Sequence, residues 1–384
     1  MKKLISILIL LCILVPFSLV LNVSAASAED FSLNLNAKSA VLMEAETGRV
    51  LYEQNADEAL PPASVTKIMT LLLIMEAIDE KRIALDDKVV ASEYASKMGG
   101  SQIYLKAGEE MTVEDLLKSV VVSSANDAAV ALAEHIAGSE SAFVSAMNKR
   151  AKELGMKNTS FENTNGLDDT TKNHVTSARD IAIMSRELIR HEKILEYSSI
   201  WMSTIRDGAF TLTNTNRLIR FYPGATGLKT GSTSKAMFCI SATAKREGMH
   251  LIAVIMGAPT RDIRNEEAKK LLDYGFANYA LYSYENADMG SLSILGGVSD
   301  LCKTSAEKYS VVLDKNTANN ITTKVEMPEK IAAPVKAGDK VGSVRFFCGE
   351  NLIGETDIIA AESIAKISYW EIFMRILKGF MITK

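Results

Sequence analysis

The sequence has no excess of basic residues. Its 43 lysine and arginine residues are outnumbered by 47 aspartate and glutamate residues, which gives a formal net charge of −4 at pH 7. Proteins that bind nucleic acids concentrate positive charge on one face or along one helix. We therefore expect no nucleic-acid partner.

Cysteine and histidine are also scarce, with four residues of each kind. No group of them has the spacing of zinc ligands, so we expect neither a metal site nor a cofactor. For His174, a loop histidine satisfied by local hydrogen bonds is favoured over a catalytic one. Cys302 and Cys348 lie in the same C-terminal segment, which predicts a disulfide between them.

The N-terminus is typical of a secretory signal peptide. A positively charged start is followed by an apolar run over residues 4–21 and by two small-x-small cleavage patterns, Val23-Ser24-Ala25 and Ala26-Ser27-Ala28. The signal peptide would occupy residues 1–28 and place the mature chain outside the cytoplasm. The alternative is a retained N-terminal membrane helix, since the apolar run reaches about 18 residues.

The length of 384 residues exceeds that of one ordinary core and predicts two domains after the leader. The first, over residues 29–285, mixes helices with strands that pair in antiparallel fashion. Its predicted strands form a hairpin over Ala40–Glu53 and a pair over Ala236–Ala244 and His250–Gly257. Its predicted helices are Val65–Ile78, Thr112–Ala137 with a break near Ser123–Asn126, Ser177–Arg190 and Glu266–Tyr279.

The second predicted domain, residues 286–360, has short Val, Ile and Thr runs separated by turn residues, which is typical of a small all-β domain. Residues 361–384 instead place apolar and aromatic side chains on one helical face and charged ones on the other. Charges recur too often for a membrane-spanning helix, so we expect this tail to lie in a lipid interface. A helix docked on the β domain is the alternative.

Three short motifs carry the candidate chemistry. They are Ser64-Val65-Thr66-Lys67, Ser124-Ala125-Asn126 and Lys229-Thr230-Gly231. Each occurs by chance in many proteins, and the first could be only a helix start with a surface lysine. Their presence together, in this order, is specific.

The first motif predicts an activated serine. Residues at i and i+3 of a helix are neighbours, so the Lys67 amine can reach the Ser64 hydroxyl. A serine is a weak nucleophile until a base activates it. Lysine acts as a base when burial and a second cation lower its pKa, and Lys229 is the candidate cation.

The other two motifs predict the rest of the site. Ser124 is expected to pass a proton to the leaving amine and Asn126 to bind a substrate amide, although Ser-Ala-Asn-Asp also suits a simple helix cap. Lys229 and Thr230 are expected to hold a carboxylate. Gly231 would let a ligand backbone approach, and the N–H of Ser232 would join the N–H near Ser64 in stabilising an oxyanion.

The motifs resemble those of the penicillin-binding proteins and serine β-lactamases. Within that superfamily, the chain resembles the low-molecular-mass penicillin-binding proteins, the D-alanyl-D-alanine carboxypeptidase family. The likeness is carried by the segments PPASVTKIMT, SSANDAAVALAEH, FENTNGLDD, HVTSARDIA and GLKTGSTSKA. It implies an α+β fold, in which a serine β-lactamase/transpeptidase-like domain precedes a small all-β domain and a C-terminal amphipathic helix.

The resemblance also implies a reaction and its partners. Ser64 would attack the carbonyl between two D-alanines of a peptidoglycan stem peptide, and water would hydrolyse the acyl-enzyme after D-alanine leaves. β-Lactam antibiotics would acylate the same serine. The protein would act at the outer face of the cytoplasmic membrane.

In that family an arginine after the last strand binds the terminal carboxylate. Arg264 in RDIRNEE is the candidate, and Arg261, one turn away, is the alternative. Thr215 in NTNR is a departure, since it stands roughly where some members carry an arginine.

Two other functions stay open from the sequence. A class A-type β-lactamase needs a glutamate to activate the deacylating water, and Glu162 is the candidate for it. However, Glu162 and Asn165 do not have the spacing of such enzymes. The third possibility is a wall-binding or sensor module without turnover, which the intact motifs disfavour.

Overall fold

The computed structural model describes residues 33–382. The predicted signal peptide, residues 1–28, therefore lies outside the described residues. Ten helices occur within the described part of the chain. They are α1 (Lys67–Asp79), α2 (Glu93–Ser96), α3 (Val113–Lys118), α4 (Asn126–Ala137), α5 (Glu140–Glu153), α6 (Ala178–Leu188), α7 (Glu192–Ser198), α8 (Leu218–Phe221), α9 (Arg261–Asn278) and α10 (Tyr369–Ile382).

Seventeen strands accompany them in residues 33–382. The first nine are β1 (Ser39–Glu44), β2 (Val50–Gln54), β3 (Lys88–Val90), β4 (Glu110–Thr112), β5 (Met202–Ile205), β6 (Phe210–Thr213), β7 (Ala225–Thr233), β8 (Met237–Arg246) and β9 (Met249–Ala258). The other eight are β10 (Tyr279–Tyr284), β11 (Ala287–Leu295), β12 (Leu301–Ala306), β13 (Tyr309–Asp314), β14 (Ile321–Glu326), β15 (Lys330–Ala332), β16 (Lys340–Cys348) and β17 (Asn351–Ala360).

A five-stranded sheet forms the framework of the first part of the chain. Its order is β2-β1-β9-β8-β7, with every neighbour antiparallel. The hairpin predicted over Ala40–Glu53 and the strand pair predicted after Ala236 are both confirmed. Strand β7 lies at the edge, so one side of its backbone stays open toward the helices.

Helix α1 is the centre of the apolar core. Nine of its 13 residues are buried, because apolar side chains occupy most faces of the helix rather than one stripe. It packs against α4, α5 and α6, while α6 also packs against β9 and β1. The helix that carries the first motif is thereby held between the sheet and the other helices.

The predicted helix Thr112–Ala137 is interrupted near the expected point. Thr112 caps α3 by accepting the N–H of Asp115 at 3.1 Å. A π-helical turn, Ser119–Ser123, follows and ends at Ser124, whose φ of +64° cannot continue a helix. Helix α4 then starts at Asn126, so only two residues separate the helical segments.

Helix α9 starts five residues before the predicted position at Glu266. Thr260 accepts the N–H of Ile263 at 3.1 Å and so caps the helix. As a result, Arg261 and Arg264 both lie in its first turns.

The C-terminal part is built from strands, as predicted. A six-stranded sheet has the order β14-β16-β17-β12-β11-β15, and β10 pairs with β13. A separate apolar cluster fills it, with Phe346 stacked on Tyr309 at a ring distance of 4.4 Å. The strands begin at Tyr279, before the boundary predicted at 286; the domain boundaries themselves stay a prediction.

The disulfide predicted between Cys302 and Cys348 is wrong, because both are free thiols. Thr304, two residues after Cys302 in β12, pairs with Ala360 at the end of β17. Cys348 pairs with Asn351 at the start of β17. A strand rise of about 3.3 Å per residue separates the two cysteines by roughly 30 Å. A disulfide needs Cα atoms within about 7 Å.

The tail helix begins at Tyr369, later than the predicted 361. Ile364 and Lys366 form bridges to Val335 and Gly297, so this stretch precedes the helix as non-helical chain. Arg375 in α10 donates to the carbonyl of Val298. No helix within residues 33–382 has the length and apolar character needed to cross a bilayer.

Candidate active site

Ser64 lies in a single 3-10 turn, Ala63–Thr66, directly before α1. The turn is tightly enclosed on two sides. A Cβ on Gly231 would lie 2.7 Å from the backbone nitrogen of Ser64, and one on Gly166 would lie 1.8 Å from the carbonyl oxygen of Ala63. Ala63 itself has a φ of +49°, a strained value for a residue with a side chain. Two glycines from distant segments therefore fix the turn that presents Ser64.

Lys67 is fully buried beneath Ser64. Its Nζ lies 3.0 Å from Ser64 Oγ, 2.5 Å from Asn126 Oδ1 and 2.8 Å from the carbonyl oxygen of Asn165. Burial and the like charge of Lys229 lower the pKa of Lys67 well below its usual value, against the opposing carboxylate of Asp127. The site thus favours a neutral amine next to the serine hydroxyl, as base catalysis requires.

Lys229 is also buried, in the middle of β7. Its Nζ donates to the carbonyl of Thr230 at 3.3 Å. Burial, with the like charge of Arg264, lowers the pKa of Lys229 to about 7. Lys229 does not line the cavity described below. It acts on the site through its charge, from behind the residues that form the cavity wall.

Ser124 presents its hydroxyl from the break between helices. Its Oγ is buried and has no hydrogen-bond partner in the described part of the chain. A buried hydroxyl without a partner is costly and calls for an explanation. Ser124 lines the cavity described below, so a group bound there would supply the missing partner.

Asn126 is engaged inside the protein. Its Oδ1 accepts from Lys67, and its Nδ2 donates to the carbonyl of Gly99 at 2.6 Å. The second proton of Nδ2 is its remaining donor. In this structure, Asn126 therefore orients the amine of Lys67.

The end of β7 supplies the opposite wall. Thr230 Oγ1 donates to Thr215 Oγ1 at 2.8 Å. Gly231 faces the Ser64 turn rather than open space, so it serves close packing of two backbones and not only ligand approach. Ser232 follows at an exposed position of the same strand.

A cavity of about 630 Å³ opens at Ser64. Six of the predicted site residues line it: Ser64, Ser124, Thr230, Gly231, Ser232 and Arg264. Lys67, Asn126 and Lys229 lie behind this wall. Both Arg261 and Thr215 also line it. The sequence did not indicate the remaining lining residues, which are Ser101, Trp201, Thr213, Asn214, Arg217 and Phe221.

Arg264 and Arg261 differ in their surroundings. Arg264 is buried and donates twice, at 3.1 and 2.8 Å, to the amide oxygen of Asn265, while Arg261 is exposed. Burial and the charges of Arg261 and Arg217 lower the pKa of Arg264 to about 10. Arg264 therefore remains a cation at neutral pH.

Glu162 is exposed and does not line the cavity at Ser64. Its carboxylate accepts the backbone N–H groups of Lys172 and Asn173 at 2.8 and 2.9 Å, which lower its pKa. The Glu162 carboxylate therefore stabilises a loop. This disfavours Glu162 as the base that would activate water for deacylation.

His174 has both ring nitrogens satisfied. Nδ1 accepts the N–H of Glu162 at 2.9 Å, so Nε2 carries the proton and donates to Thr66 Oγ1 at 2.7 Å. Thr66 in turn donates to the carbonyl of Ala63 at 2.8 Å. Local hydrogen bonding accounts for His174, as the sequence favoured. Within residues 33–382, no three His, Cys, Asp or Glu side chains form a group that could hold a metal ion.

Comparison with known proteins extends over both parts of the chain. The profile of the D-alanyl-D-alanine carboxypeptidase family matches residues 22–260, and that of the penicillin-binding protein 5 C-terminal domain matches residues 292–366. The sequence is 42% identical over 376 residues to D-alanyl-D-alanine carboxypeptidase DacF of Bacillus subtilis (strain 168), covering 96% of each chain.

Two solved structures are similar as well. Penicillin-binding protein 5 of Haemophilus influenzae has 31% identity and a TM-score of 0.75, with 87% of this chain and 99% of that chain covered. Penicillin-binding protein D2 of Listeria monocytogenes, in its ampicillin-bound form, has 35% identity and a TM-score of 0.59 over 64% of this chain and 99% of that chain.

Proposed function

Because the chain belongs to the D-alanyl-D-alanine carboxypeptidase family, we propose that it is a serine-type carboxypeptidase that releases the terminal D-alanine from peptidoglycan stem peptides. One observation carries the proposal beyond family membership. Ser64 Oγ, on the wall of a cavity, lies 3.0 Å from a buried lysine whose pKa is lowered. That pairing is what an acyl-transfer nucleophile and its base require.

Acylation begins when the neutral amine of Lys67 takes the proton of Ser64. The Oγ of Ser64 attacks the carbonyl between the two D-alanines, and the backbone N–H groups of Ser64 and Ser232 stabilise the oxyanion. Ser124, whose hydroxyl lacks a partner in residues 33–382, passes its proton to the departing D-alanine amine and takes one back from the Lys67 ammonium, so that Lys67 is neutral again. Water then hydrolyses the ester on Ser64 and regenerates the enzyme.

The substrate would be held by the groups around the serine. Thr230 and Arg264 contact the terminal carboxylate, Lys229 adds positive charge behind them, and Gly231 keeps the strand close to the nucleophile. Asn126 orients Lys67 and offers its remaining donor to a substrate amide.

β-Lactam antibiotics would acylate Ser64 as substrate analogues. This part of the proposal is supported by the similarity to penicillin-binding protein D2 in its ampicillin-bound form. A β-lactamase is disfavoured because Glu162 is committed to backbone contacts away from the serine.

We further propose that the protein is secreted and held peripherally at the outer face of the cytoplasmic membrane. The proposal is supported by the signal-peptide pattern of residues 1–28 and by the exposed apolar residues of α10. Tyr369, Trp370 and Phe373 are 94%, 68% and 52% exposed, a costly arrangement in water that an interface would relieve.

The test uses the mature chain, a stem peptide that ends in D-Ala-D-Ala and a fluorescent penicillin. Free D-alanine is expected from the wild type, but not from Ser64→Ala or Lys67→Ala, and penicillin is expected to remain bound as a slowly hydrolysed ester. Labelling without D-alanine release would contradict the proposal in favour of a sensor. Rapid penicillin turnover would contradict it in favour of a β-lactamase.

A further inference from the structure

Three arginines lie together on the cavity wall. Arg217, Arg261 and Arg264 all line the cavity at Ser64, and no aspartate or glutamate is among its lining residues in the described part of the chain. Arg217 also lines the adjoining hollow beside α9, so its side chain stands on the ridge between the two. The cationic wall is therefore wider than the single predicted arginine.

These three arginines share a lack of acidic contacts. Within residues 33–382, no carboxylate lies within 4.0 Å of the guanidinium of Arg217, Arg261 or Arg264. The side chain of Arg264 meets the neutral amide oxygen of Asn265. Three neighbouring cations without a close counter-charge leave room for an anionic ligand.

Helix α9, which carries Arg261 and Arg264, increases the electrostatic repulsion among the three arginines. Arg261 and Arg264 lie in the first turns of α9, where the helix dipole already places positive charge and normally favours acids. Asp262, between them, offsets part of this charge. A negatively charged group bound in the cavity would offset the remaining repulsion.

Arg217 is held at a fixed place on this wall. Asn214 donates to the carbonyl of Ile200 at 2.7 Å. Asn216 donates to the carbonyl of Gly227 at 2.7 Å, and this bond ties the segment before Arg217 to β7. Thr215, between them, accepts the hydroxyl of Thr230. The backbone of Arg217 is thus anchored two residues from a direct contact with the carboxylate-binding strand.

We propose that Arg217 is a substrate-specificity residue that binds, together with Arg264, the carboxylate of the terminal D-alanine. The inference rests on the proposed function and extends it. Thr215 stands roughly where some members of the family carry an arginine, and its hydroxyl accepts a hydrogen bond from Thr230. Arg217 supplies a positive charge from the next exposed position of the same segment. Both guanidiniums would share one carboxylate, with Arg264 below it and Arg217 at the mouth.

The test compares two substrates that differ only in the charge at the terminus. One peptide ends in D-Ala-D-Ala as the free acid and the other as the C-terminal amide. In Arg217→Gln, kcat/KM for the acid should fall roughly 10- to 100-fold, the size expected for one charge-assisted contact, while kcat/KM for the amide changes little. Arg217→Lys should recover part of the preference for the acid.

Arg220→Gln is the matched control. Arg220 lies on α8, its guanidinium stacks over Trp201 at 5.6 Å, and it does not line the cavity, so its loss should leave the preference unchanged. In the double variant Arg217→Gln with Arg264→Gln, the loss for the acid should be less than the product of the single losses. Equal losses for acid and amide in Arg217→Gln, or no loss for either, would overturn the inference.

A parallel measurement separates this inference from the proposed function. The rate of Ser64 acylation is measured by mass spectrometry with benzylpenicillin and with its methyl ester. Should the wild type acylate but release no D-alanine, the proposed function fails, and the comparison still decides the role of Arg217. A selective loss with the free acid in Arg217→Gln supports that role, and parallel rates with acid and ester contradict it.

Discussion

The amine of Lys67 lies 3.0 Å from the hydroxyl of Ser64 and 2.5 Å from the amide oxygen of Asn126. An ammonium in this position has its three protons directed at three acceptors and cannot take a fourth. Only the neutral form can act as the base. The acylation rate should therefore rise with pH as Lys67 loses its proton.

Lys229→Met should shift that dependence to higher pH. The charge of Lys229 lowers the pKa of Lys67, so its removal raises that pKa and moves the acidic limb of the pH profile upward. The measurement is the second-order rate constant for acylation by a fluorescent penicillin between about pH 5 and 9, which brackets the expected range. Lys229→Arg keeps a positive charge over the whole range and should hold the limb at or below its wild-type position. An unmoved limb in Lys229→Met would contradict the electrostatic link.

Gly231→Ala should disable the serine without unfolding the chain. The added methyl group would lie 2.7 Å from Ser64 N and 2.9 Å from Val65 N, so the strand or the turn must shift. A misplacement of about 1 Å costs roughly 100-fold in rate. The readout is penicillin acylation beside thermal unfolding.

The control for that variant is Gly155→Ala. Gly155 has a φ of +75°, and no atom lies within 4 Å of the place that an added methyl group would take, so this change adds backbone strain far from the cavity. A cost of about 1 kcal/mol in stability with normal acylation is expected. Equal acylation in the two variants would show that the approach of Gly231 to Ser64 is unimportant.

Glu162→Gln should not change the lifetime of the penicilloyl-enzyme. The carboxylate serves the backbone N–H groups of Lys172 and Asn173 rather than a water at Ser64. In a class A-type β-lactamase, loss of the deacylating glutamate would arrest turnover. Mass spectrometry of the acyl-enzyme over time, in wild type and variant, checks this; a much longer lifetime in the variant would restore the β-lactamase hypothesis.

His174 should make the protein less stable in acid. Burial lowers its pKa from about 6.5 to about 4, so the unfolded chain binds a proton that the folded chain refuses between these values. The free energy of unfolding is therefore unaffected by this histidine above pH 6.5. It falls by about 3 kcal/mol as the pH drops toward 4.

Urea unfolding at about pH 7 and about pH 4.5 measures that effect, because the two values lie on either side of most of the titration. His174→Gln should reduce the difference in unfolding free energy between the two conditions, whatever it does to the stability at neutral pH. His135→Gln changes an exposed histidine on α4 and is the control. An undiminished difference in His174→Gln would assign the acid sensitivity to other groups.

Trp370→Ser with Phe373→Ser should release the protein from lipid vesicles. Each exposed aromatic contributes roughly 1.5–3 kcal/mol when buried, so the pair should lower partitioning about 100-fold or more. Val325→Ser with Leu352→Ser changes exposed apolar residues of the β sheet and should have no effect. A truncation should begin at Tyr369, because Ile364 and Lys366 form bridges to Val335 and Gly297.

The sequence predicted those features of the fold and site that depend on residues close together in the chain. The spacing of Ser64 and Lys67 predicts their contact, since a single turn joins them. The break at Ser124 and the cap at Thr112 are likewise visible in a few neighbouring residues. The contacts of Lys67 with Asn126 and Asn165, 59 and 98 residues away, have no local signal and depend on how α1 and α4 pack.

The arginine-lined wall of the cavity was the least predictable part. Arg217 is itself exposed and resembles any surface arginine until its position beside β7 is known. The approach of Gly166 to Ala63 was hidden for a similar reason: glycine is common in loops, and only the folded backbone shows that a side chain would not fit. The predicted start of the tail helix failed because Ile364 and Lys366 form bridges to Val335 and Gly297, which are distant in sequence.

The two glycines that enclose the Ser64 turn limit how this protein could escape its inhibitors. A substitution at Gly166 or Gly231 displaces the nucleophile for drug and peptide alike, so it gives no selective advantage under antibiotic pressure. Changes that spare the natural substrate must instead alter residues that the two ligands contact differently. The cavity rim, with Ser101, Trp201 and Phe221, is where such resistance mutations are expected.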